Sequence, residues 1–331
     1  MITKMEKNIY IGTRKSQLAL VQAEFVKGEL HTLYPNLNLS LEKISTIGDK
    51  ILDKALSKIG EKSLFTKELE VALKDGTVDL VVHSLKDLPT TLPPGMALGA
   101  VMEREDPHDA VVMSLKNKGL TIDKLPKGSV IGTSSVRRIS QLRRNFPNLE
   151  FQDVRGNLNT RISKLDDENG PYDALILAVA GLKRLGWESR ISQVLAPDLS
   201  LHAVGQGALG IECRMDDEHT LELLSKLDHR DTRLRCTAER AMMRKLEGGC
   251  SVPIGVATTF KDNKLSLRGM VASIDGKKFI EYTHEQDVSN GVDEAEKVGE
   301  KVADELLKLG AREILDSIRH NENVTELPFG K

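Results

Sequence analysis

The sequence predicts an α/β protein of two similar lobes, followed by a small α+β C-terminal domain. Up to about residue 228, short apolar segments alternate with amphipathic helical segments, which is typical of parallel sheets joined by crossover helices. Two short motifs in this region each occur twice. From residue 229 a long helical segment is followed by closely spaced strand segments. We therefore predict three domains, formed by residues 1–104 with 205–228, by residues 105–204, and by residues 229–331.

The first lobe opens with a predicted strand at 8–12 and a helix for which Ser16 is the expected N-cap. A second strand is predicted at 39–44. A helix at 66–75 then leads to a strongly apolar strand at 78–83.

Two charged residues, Lys86 and Asp87, directly follow this apolar strand, and Pro89 prevents its continuation. Because open α/β sheets bind ligands at the carboxyl ends of their strands, both side chains are candidates for chemistry. The alternative for Asp87 is that it only caps a turn. His83, inside the apolar strand, is predicted to be buried in the core or to support the site from behind.

Repeated motifs indicate that the two lobes share one design. Ile-Gly-Thr occurs at 11–13 and at 131–133, each time between a strand and a helix. Gly76-Thr-Val-Asp79 leads into one apolar strand, and Gly170-Pro-Tyr-Asp173 leads into another at 174–179. We expect two lobes of the periplasmic-binding-protein type that face each other across a cleft.

Two segments are predicted to connect the lobes. Residues 103–109 are densely charged and are expected to cross from the first lobe to the second. The glycine-rich segment 204–210 is expected to re-enter the first lobe as a hinge and a strand. It lacks both the GxGxxG pattern and the lysine of a P-loop, so no nucleotide site is predicted there.

The third domain contains a cysteine in an unusual turn, Gly248-Gly-Cys-Ser-Val-Pro253, directly after a predicted helix. Two glycines remove side-chain bulk next to the sulfur of Cys250. One interpretation is an inert, buried cysteine at a helix C-cap, and the other is an exposed thiol that carries a covalent group.

The segment 47–65 carries evenly spaced lysines, at Lys50, Lys54, Lys58 and Lys62. It is interpreted either as a solvated surface segment or as a mobile lid that brings cations over an anionic ligand.

The composition argues against several classes of protein. The net charge of −2 is unlike that of most nucleic-acid-binding domains, which are basic. The three cysteines are too scattered for a disulfide framework, and no Cys/His spacing fits a zinc site. No apolar segment approaches the ~18 residues of a membrane span. We expect a cytoplasmic protein that has no metal and does not bind nucleic acid or membranes.

Basic residues recur where predicted helices begin, at Arg14 with Lys15, Arg137 with Arg138, and Arg155 with Arg161. A cation in this position opposes the helix dipole at a cost of about 0.3–1 kcal/mol, which implies a compensating anion. Helix N–H groups and guanidinium groups together bind carboxylates or phosphates. Any one of these arginines alone is compatible with a solvated side chain. Together, the three junctions predict a cleft for a ligand that carries several carboxylates or phosphates.

Six motifs resemble, in matching order, those of the porphobilinogen deaminases, also called hydroxymethylbilane synthases. They are Gly12-Thr-Arg-Lys-Ser-Gln-Leu-Ala19, Lys62-Ser-Leu-Phe-Thr-Lys-Glu-Leu-Glu70, His83-Ser-Leu-Lys-Asp-Leu-Pro89, Gly132-Thr-Ser-Ser-Val-Arg-Arg138, Arg155-Gly-Asn-Leu-Asn-Thr-Arg161 and Gly248-Gly-Cys-Ser-Val-Pro253. The resemblance runs from residue 8 to about residue 257, and the residues that follow match only loosely.

The resemblance implies a transferase of tetrapyrrole biosynthesis that joins four porphobilinogen molecules head to tail. Each joining step releases ammonia, and hydrolysis releases the linear product, hydroxymethylbilane. The resemblance also implies a dipyrromethane cofactor, which the protein makes from its own substrate and holds through a thioether to Cys250. Asp87 is then the catalytic carboxylate, the counter-charge for the cationic azafulvene left by ammonia loss. The acetate and propionate groups of each pyrrole match the predicted anion-binding cleft.

By the same resemblance, further residues are expected to bind cofactor and substrate. They are Arg14, Ser16, Gln22, Lys86, Ser134, Arg137, Arg138, Arg155, Gly156, Arg161, Arg184 and Gln206. Arg137 and Arg138 are expected to hold the carboxylates of the cofactor, and Lys62 is expected to lie in the lid. We expect a monomer.

Two other functions stay open. A two-lobed solute-binding protein could capture a polyanionic small molecule without chemistry, but it leaves the C-terminal domain and the Gly-Gly-Cys turn unexplained. A nucleic-acid-binding protein could use the basic helix 137–144. The near-neutral charge, with four tyrosines and one tryptophan, argues against it because stacking on bases requires aromatic side chains.

Overall fold

The computed structural model of the chain describes residues 8–47, 66–247 and 252–321, with side chains up to residue 318. Cys250 lies outside the described residues, and so does Lys62 with the rest of the predicted lid from residue 48.

Strands and helices alternate over most of the described chain. The strands are β1 (Ile9–Arg14), β2 (Leu39–Ile44), β3 (Leu80–Ser84), β4 (Met96–Val101), β5 (Asp109–Met113), β6 (Val130–Gly132), β7 (Glu150–Gln152), β8 (Ala174–Ala178), β9 (Gln193–Val194), β10 (Leu209–Arg214), β11 (Ile254–Lys261), β12 (Lys264–Ala272) and β13 (Phe279–Asp287). The α-helices are α1 (Gln17–Leu33), α2 (Lys67–Lys74), α3 (Val136–Asn145), α4 (Leu158–Asp166), α5 (Val179–Arg184), α6 (Glu218–Ser225), α7 (Arg230–Lys245), α8 (Val292–Leu306) and α9 (Arg312–Asn321). Among the helices of the described ranges, none is long and apolar enough to cross a membrane.

The chain folds as two compact units. The described residues of the first unit are 8–47, 66–105 and 208–233, and those of the second are 106–207, 234–247 and 252–321. The chain therefore passes between the units after residue 105, after residue 207 and within α7. The domain boundaries expected near 104, 204 and 228 stay predictions.

The first unit is an α/β lobe whose five-stranded sheet has the order β2-β1-β3-β10-β4. Strands β1, β2 and β3 run parallel, whereas β10 is antiparallel to both of its neighbours. Helix α1 buries Ala23, Val26 and Leu30 in the core of this lobe, at the spacing of one helical face. The carboxyl ends of β1 and β3 consequently lie at the same edge of the sheet.

The second unit contains a lobe built in the same way, with the sheet order β7-β6-β8-β5-β9. Strands β6, β7 and β8 run parallel, and β5 is antiparallel to β8 and to β9. In each lobe, the strand that follows a crossing of the chain between the units, β10 or β5, is fourth in the order of the sheet. The repeated Ile-Gly-Thr falls on β1 and at the end of β6, and the repeated aspartates Asp79 and Asp173 immediately precede β3 and β8. The prediction of two similar α/β lobes is confirmed.

The C-terminal part of the second unit is α+β, as predicted. Strands β11, β12 and β13 form an antiparallel sheet, and helices α7 and α8 share a buried core with it. A Cβ atom at Gly299 of α8 would lie 2.0 Å from the carbonyl oxygen of Ala238 in α7, so only glycine permits this close crossing. Helix α7 ends three residues before Gly248 and leads directly into the segment that carries Cys250.

Candidate active site

The predicted catalytic aspartate lies directly after β3, at the carboxyl edge of the first lobe. Residues Leu85–Asp87 form one turn of 3₁₀ helix that is anchored by the buried side chain of Leu85. Lys86 is half-buried and Asp87 is exposed. The Asp87 carboxylate makes no hydrogen bond to any residue within the described ranges, so it does not cap a turn formed by them.

Three further predicted ligands lie in the first lobe, two of them at the same sheet edge. Arg14 is the last residue of β1 and is half-buried. Ser16 is the N-cap of α1, as predicted, and its hydroxyl accepts a hydrogen bond from the N–H of Ala19 at 3.4 Å. Gln22 is buried and donates from its amide to the Ser84 hydroxyl at 2.9 Å. Its predicted ligand role would require this internal hydrogen bond to be exchanged.

A buried histidine–carboxylate pair lies in the same sheet. His83 is buried, as predicted, and its Nε2 lies 2.9 Å from Oε2 of the fully buried Glu212. Burial raises the pKa of the nearby Glu70, and the negative charge of Glu212 adds to this effect. His83 and Glu212 therefore form part of the buried interior of the lobe.

In the second lobe, Arg137 and Arg138 begin α3 and are both bound to one carboxylate, that of Asp109. Arg137 donates to Asp109 Oδ2 at 2.7 Å and to the carbonyl of Leu201 at 2.6 Å. Arg138 donates twice to Asp109 Oδ1, from Nε at 3.0 Å and from Nη2 at 2.7 Å. Its Nη1 donates to the carbonyl of Ile176 at 2.7 Å. The sequence predicted an anion that compensates the charge of these arginines, and a carboxylate of the protein itself, that of Asp109, supplies part of this compensation.

Two neutral side chains complete the shell around Asp109. Gln206 donates from Nε2 to Asp109 Oδ1 at 2.9 Å and to the carbonyl of Pro107 at 2.7 Å. The Ser200 hydroxyl donates to Asp109 Oδ2 at 3.1 Å. The structure therefore brings three of the predicted ligands, Arg137, Arg138 and Gln206, onto a single buried carboxylate.

This cluster carries more positive than negative charge. Burial alone would raise the pKa of Asp109, but the charges of Arg137 and Arg138 outweigh it and hold that pKa well below its usual range. Burial and the neighbouring Arg138 lower the pKa of Arg137, although Asp109 opposes this. With both guanidinium groups protonated and Asp109 ionised, one positive charge in the cluster lacks an internal counter-charge, which favours the approach of another anion.

The loop before α4 and the first turn of that helix carry three more predicted ligands. Arg155 forms an ion pair with Asp153, but its Nη1 is buried without a hydrogen-bond partner among the described residues. Arg161 donates from Nε to the carbonyl of Gly156 at 2.8 Å. Gly156 has φ of +105°, and a Cβ atom there would lie 2.8 Å from the Thr160 side chain. Gly156 therefore shapes the loop, a role that other residues would fill only with strain.

Two remaining candidates also lie in the second lobe. Arg184, the last residue of α5, donates to the carbonyl of Gly207 at 2.7 Å. The hydroxyl of Ser134 donates to the carbonyl of Val154 at 2.7 Å. The next residue, Ser135, is the N-cap residue of α3, although its side chain makes no capping hydrogen bond.

Asp109 is the functional candidate that the sequence analysis missed. It belongs to the charged crossing 103–109, from which no single carboxylate stood out. The available signal was its place directly before the uninterrupted apolar segment 110–113, since a charge that opens a buried strand requires a partner.

Comparison with known proteins identifies the family. Residues 9–222 match the family described as porphobilinogen deaminase, dipyromethane cofactor binding domain, and residues 233–308 match the porphobilinogen deaminase C-terminal domain. The chain is 56% identical over 318 residues to the porphobilinogen deaminase of Synechococcus elongatus. The aligned residues cover 96% of this chain and 98% of that protein.

The chain belongs to the porphobilinogen deaminase family.

Other members of the family are similar over nearly their whole length. The porphobilinogen deaminase of a Nostoc species is 54% identical, covering 96% of this chain and 97% of that protein. Among solved structures, the periplasmic aliphatic sulphonate binding protein SsuA from Escherichia coli has a TM-score of 0.38 at 14% identity, over 73% of this chain and 75% of that chain. The strand orders of the two five-stranded sheets establish the lobe architecture.

The residues present fit the dipyrromethane cofactor of this family, whose pyrroles carry carboxylate side chains. The cluster around Asp109 has an excess positive charge, and Arg155 has a buried nitrogen without a partner among the described residues. Guanidinium groups are the donors that bind carboxylates best, because their N–H groups match both oxygens.

Proposed function

We propose that this chain is a hydroxymethylbilane synthase, which joins four porphobilinogen molecules on a dipyrromethane primer and releases ammonia and the linear tetrapyrrole. The match of residues 9–222 to the dipyrromethane-binding domain of the porphobilinogen deaminases carries this proposal. The arginine cluster and the exposed Asp87 at a sheet edge supply donors and a carboxylate suited to this chemistry.

The cofactor is proposed to be held by a covalent bond and by contacts to its carboxylates. Cys250 forms the thioether, and Arg137 and Arg138 bind pyrrole carboxylates. Arg155 supplies a further donor through the buried nitrogen that lacks a partner within the described chain. When bound, the cofactor supplies the free pyrrole carbon to which the first substrate unit is joined.

The reacting substrate is proposed to meet Asp87. When ammonia leaves the aminomethyl group of porphobilinogen, the pyrrole becomes cationic, and a carboxylate close to it stabilises the positive charge. Asp87 is suited to this role because none of its oxygens is engaged by a described residue. Its carboxylate would also accept the pyrrole N–H.

The remaining candidates are proposed to orient carboxylates of the substrate and the growing chain. They are Arg14, Ser16, Gln22, Lys86, Ser134, Gly156, Arg161, Arg184 and Gln206, with Lys62 in the lid. A cytoplasmic location and a monomeric state are proposed with them. The family membership favours this function over capture of a polyanionic solute without chemistry.

Turnover of porphobilinogen tests the proposed function. Purified protein is incubated with porphobilinogen while ammonia and linear tetrapyrrole are both quantified. We expect four molecules of ammonia for each tetrapyrrole released. A solute-binding protein would instead return the porphobilinogen unchanged, and that result would contradict the proposal.

A further inference from the structure

Comparison of the two lobes shows whether the fold of a lobe requires Asp109 and the two arginines that it binds. Asp109 and Leu209 open the equivalent strands β5 and β10, and each pairs with the last residue of the neighbouring strand, Ala178 in β8 and Ser84 in β3. Leu209 is as deeply buried as Asp109. The first lobe thus builds the same strand with an apolar side chain at this position.

The arginines have no counterparts in the first lobe either. Arg137 and Arg138 follow the N-cap residue of α3 by two and three positions. The same positions after Ser16, the N-cap of α1, are occupied by Leu18 and Ala19. Buried ion clusters lose much of their Coulomb energy to desolvation, and apolar residues of similar volume often replace them without loss of stability. The cluster is therefore not required to build a lobe of this kind.

We propose that Asp109 is a positioning residue for assembly of the cofactor, an inference that rests on the proposed function. Its two oxygens are divided between the arginines, Oδ2 receiving the shortest bond from Arg137 and Oδ1 receiving two bonds from Arg138. One carboxylate therefore sets the orientation of both guanidinium planes. Each guanidinium has five N–H groups, and the three hydrogen bonds each makes leave donors for the carboxylates of a ligand.

Gln206 and Ser200 fix the carboxylate in turn. They donate to different oxygens of Asp109, and both are buried. A carboxylate held in this way reduces the conformational entropy that the arginines lose when a ligand binds. Preorganised donors are expected to speed the binding of porphobilinogen units that build the cofactor.

The test compares two aspartates of the second lobe, one that opens β5 and one that directly precedes β8. Asp109→Asn keeps the side-chain shape but removes the charge and places amide N–H groups against the arginines. Asp173→Asn is the matched control. Asp173 directly precedes β8, and its carboxylate accepts hydrogen bonds from the N–H of Val130 and from Asn117. Its counterpart Asp79 occurs in the first lobe, so that role belongs to the fold. Cofactor-free wild type and variants are produced in cells that cannot make porphobilinogen. They are then incubated with porphobilinogen, and the gain of mass is followed by intact-protein mass spectrometry.

We expect Asp109→Asn to gain mass about tenfold to hundredfold more slowly than wild type, the range for loss of a charged hydrogen bond. The porphobilinogen concentration at half-maximal rate should rise, since the defect is in binding. Asp173→Asn should lower the melting temperature but assemble cofactor at a rate close to the wild-type rate. Asp109→Glu, which keeps the charge and the ion pairs, should fold and show an intermediate rate.

Several results would overturn the inference. One is that folded Asp109→Asn assembles cofactor at the wild-type rate. Another is that Asp173→Asn slows assembly as much as Asp109→Asn does. If Asp109→Asn does not fold, an unchanged rate and an unchanged half-maximal concentration in Asp109→Glu would contradict the positioning role. Failure of the wild type itself to gain mass would instead contradict the proposed function.

Discussion

Asp173 and Val130 exchange two hydrogen bonds at the start of the β6–β8 pair. The N–H of Asp173 donates to the Val130 carbonyl at 2.8 Å, and the N–H of Val130 donates to the Asp173 carboxylate at 2.8 Å. Asp79 and Tyr10 are joined in the same way in the first lobe, at 2.9 and 3.0 Å. The aspartate thus satisfies a backbone donor at the start of each parallel pair and fixes where the pairing begins. This shared contact explains the echo between Gly76–Asp79 and Gly170–Asp173.

Asp87→Asn should separate chemistry from folding. Because Asp87 is exposed and binds no described residue, we expect the free energy of unfolding to change by less than about 0.5 kcal/mol. Turnover should fall by about two orders of magnitude or more, since the counter-charge for the substrate cation is lost. Asp75→Asn, at another exposed carboxylate of the first lobe, is the control and should turn over normally. Normal turnover by Asp87→Asn would refute its catalytic role.

Arg138→Ala should impair cofactor assembly. It removes one of the two guanidinium groups on Asp109, and Arg137 still compensates the carboxylate, so we expect a loss of about 1.5–3 kcal/mol, that of a charged hydrogen bond. The control is Arg214→Ala, which removes an arginine that makes four hydrogen bonds within the first lobe. Intact mass measured on the folded fraction should show mostly cofactor-free Arg138→Ala and fully loaded Arg214→Ala. Full loading of Arg138→Ala, with normal substrate binding, would contradict its assignment.

The stability of the protein should depend on the ionisation of Asp109 only in acid. Burial opposes ionisation, but Arg137 and Arg138 hold the pKa of Asp109 well below its usual range. A pKa depressed by folding contributes stability that is complete above the unfolded value of about 3.9 and is lost as the pH falls towards the folded value. The difference in unfolding free energy between wild type and Asp109→Asn should therefore be constant from about pH 5 to 7 and narrow below about pH 4. Urea unfolding over this range measures it, and narrowing already above pH 5 would contradict the ion cluster.

Thiol labelling should distinguish the cysteines. Burial, with the nearby charges of Asp217 and Glu212, raises the pKa of Cys213 to about 11, and Cys236 is buried as well. The thiolate is the nucleophile that attacks a thiol reagent, so neither cysteine should react in the native protein at pH 8. We expect one label, on Cys250, in cofactor-free protein and none in loaded protein. A label on Cys213 would contradict the packing, and a label on Cys250 in loaded protein would contradict the thioether.

The strands and helices that follow a local pattern were predictable from the sequence. Strand β2 has the predicted limits, and α1 begins after the predicted N-cap. Strand β4 was not predicted, because it follows Pro94-Gly95 and contains Gly99. That glycine is explained only by packing, since a Cβ atom there would lie 2.6 Å from Leu224 of α6. Helix α9 was missed because Gly310, with φ of +103°, interrupts the helical pattern before it.

The candidate site was predictable where residues stand in motifs and not where they meet across the fold. Asp87 lies at the sheet edge at which a strand-to-turn pattern placed it. Asp109 is separated by 28 and 29 residues from the arginines it binds. No periodicity links residues at that separation, so the sequence assigned the whole compensating charge to a ligand. In the structure, Asp109 neutralises one of the two positive charges, and the other remains for a ligand.

The proposed function depends on the covalent attachment of dipyrromethane to Cys250, and intact-protein mass spectrometry detects this attachment. Wild-type protein exposed to porphobilinogen should exceed the mass of its sequence by one dipyrromethane, with the addition on the peptide that contains Cys250. Cys250→Ser should fold, have the mass of its sequence alone and be inactive. An unmodified wild type, or the same added mass in Cys250→Ser, would contradict attachment at Cys250.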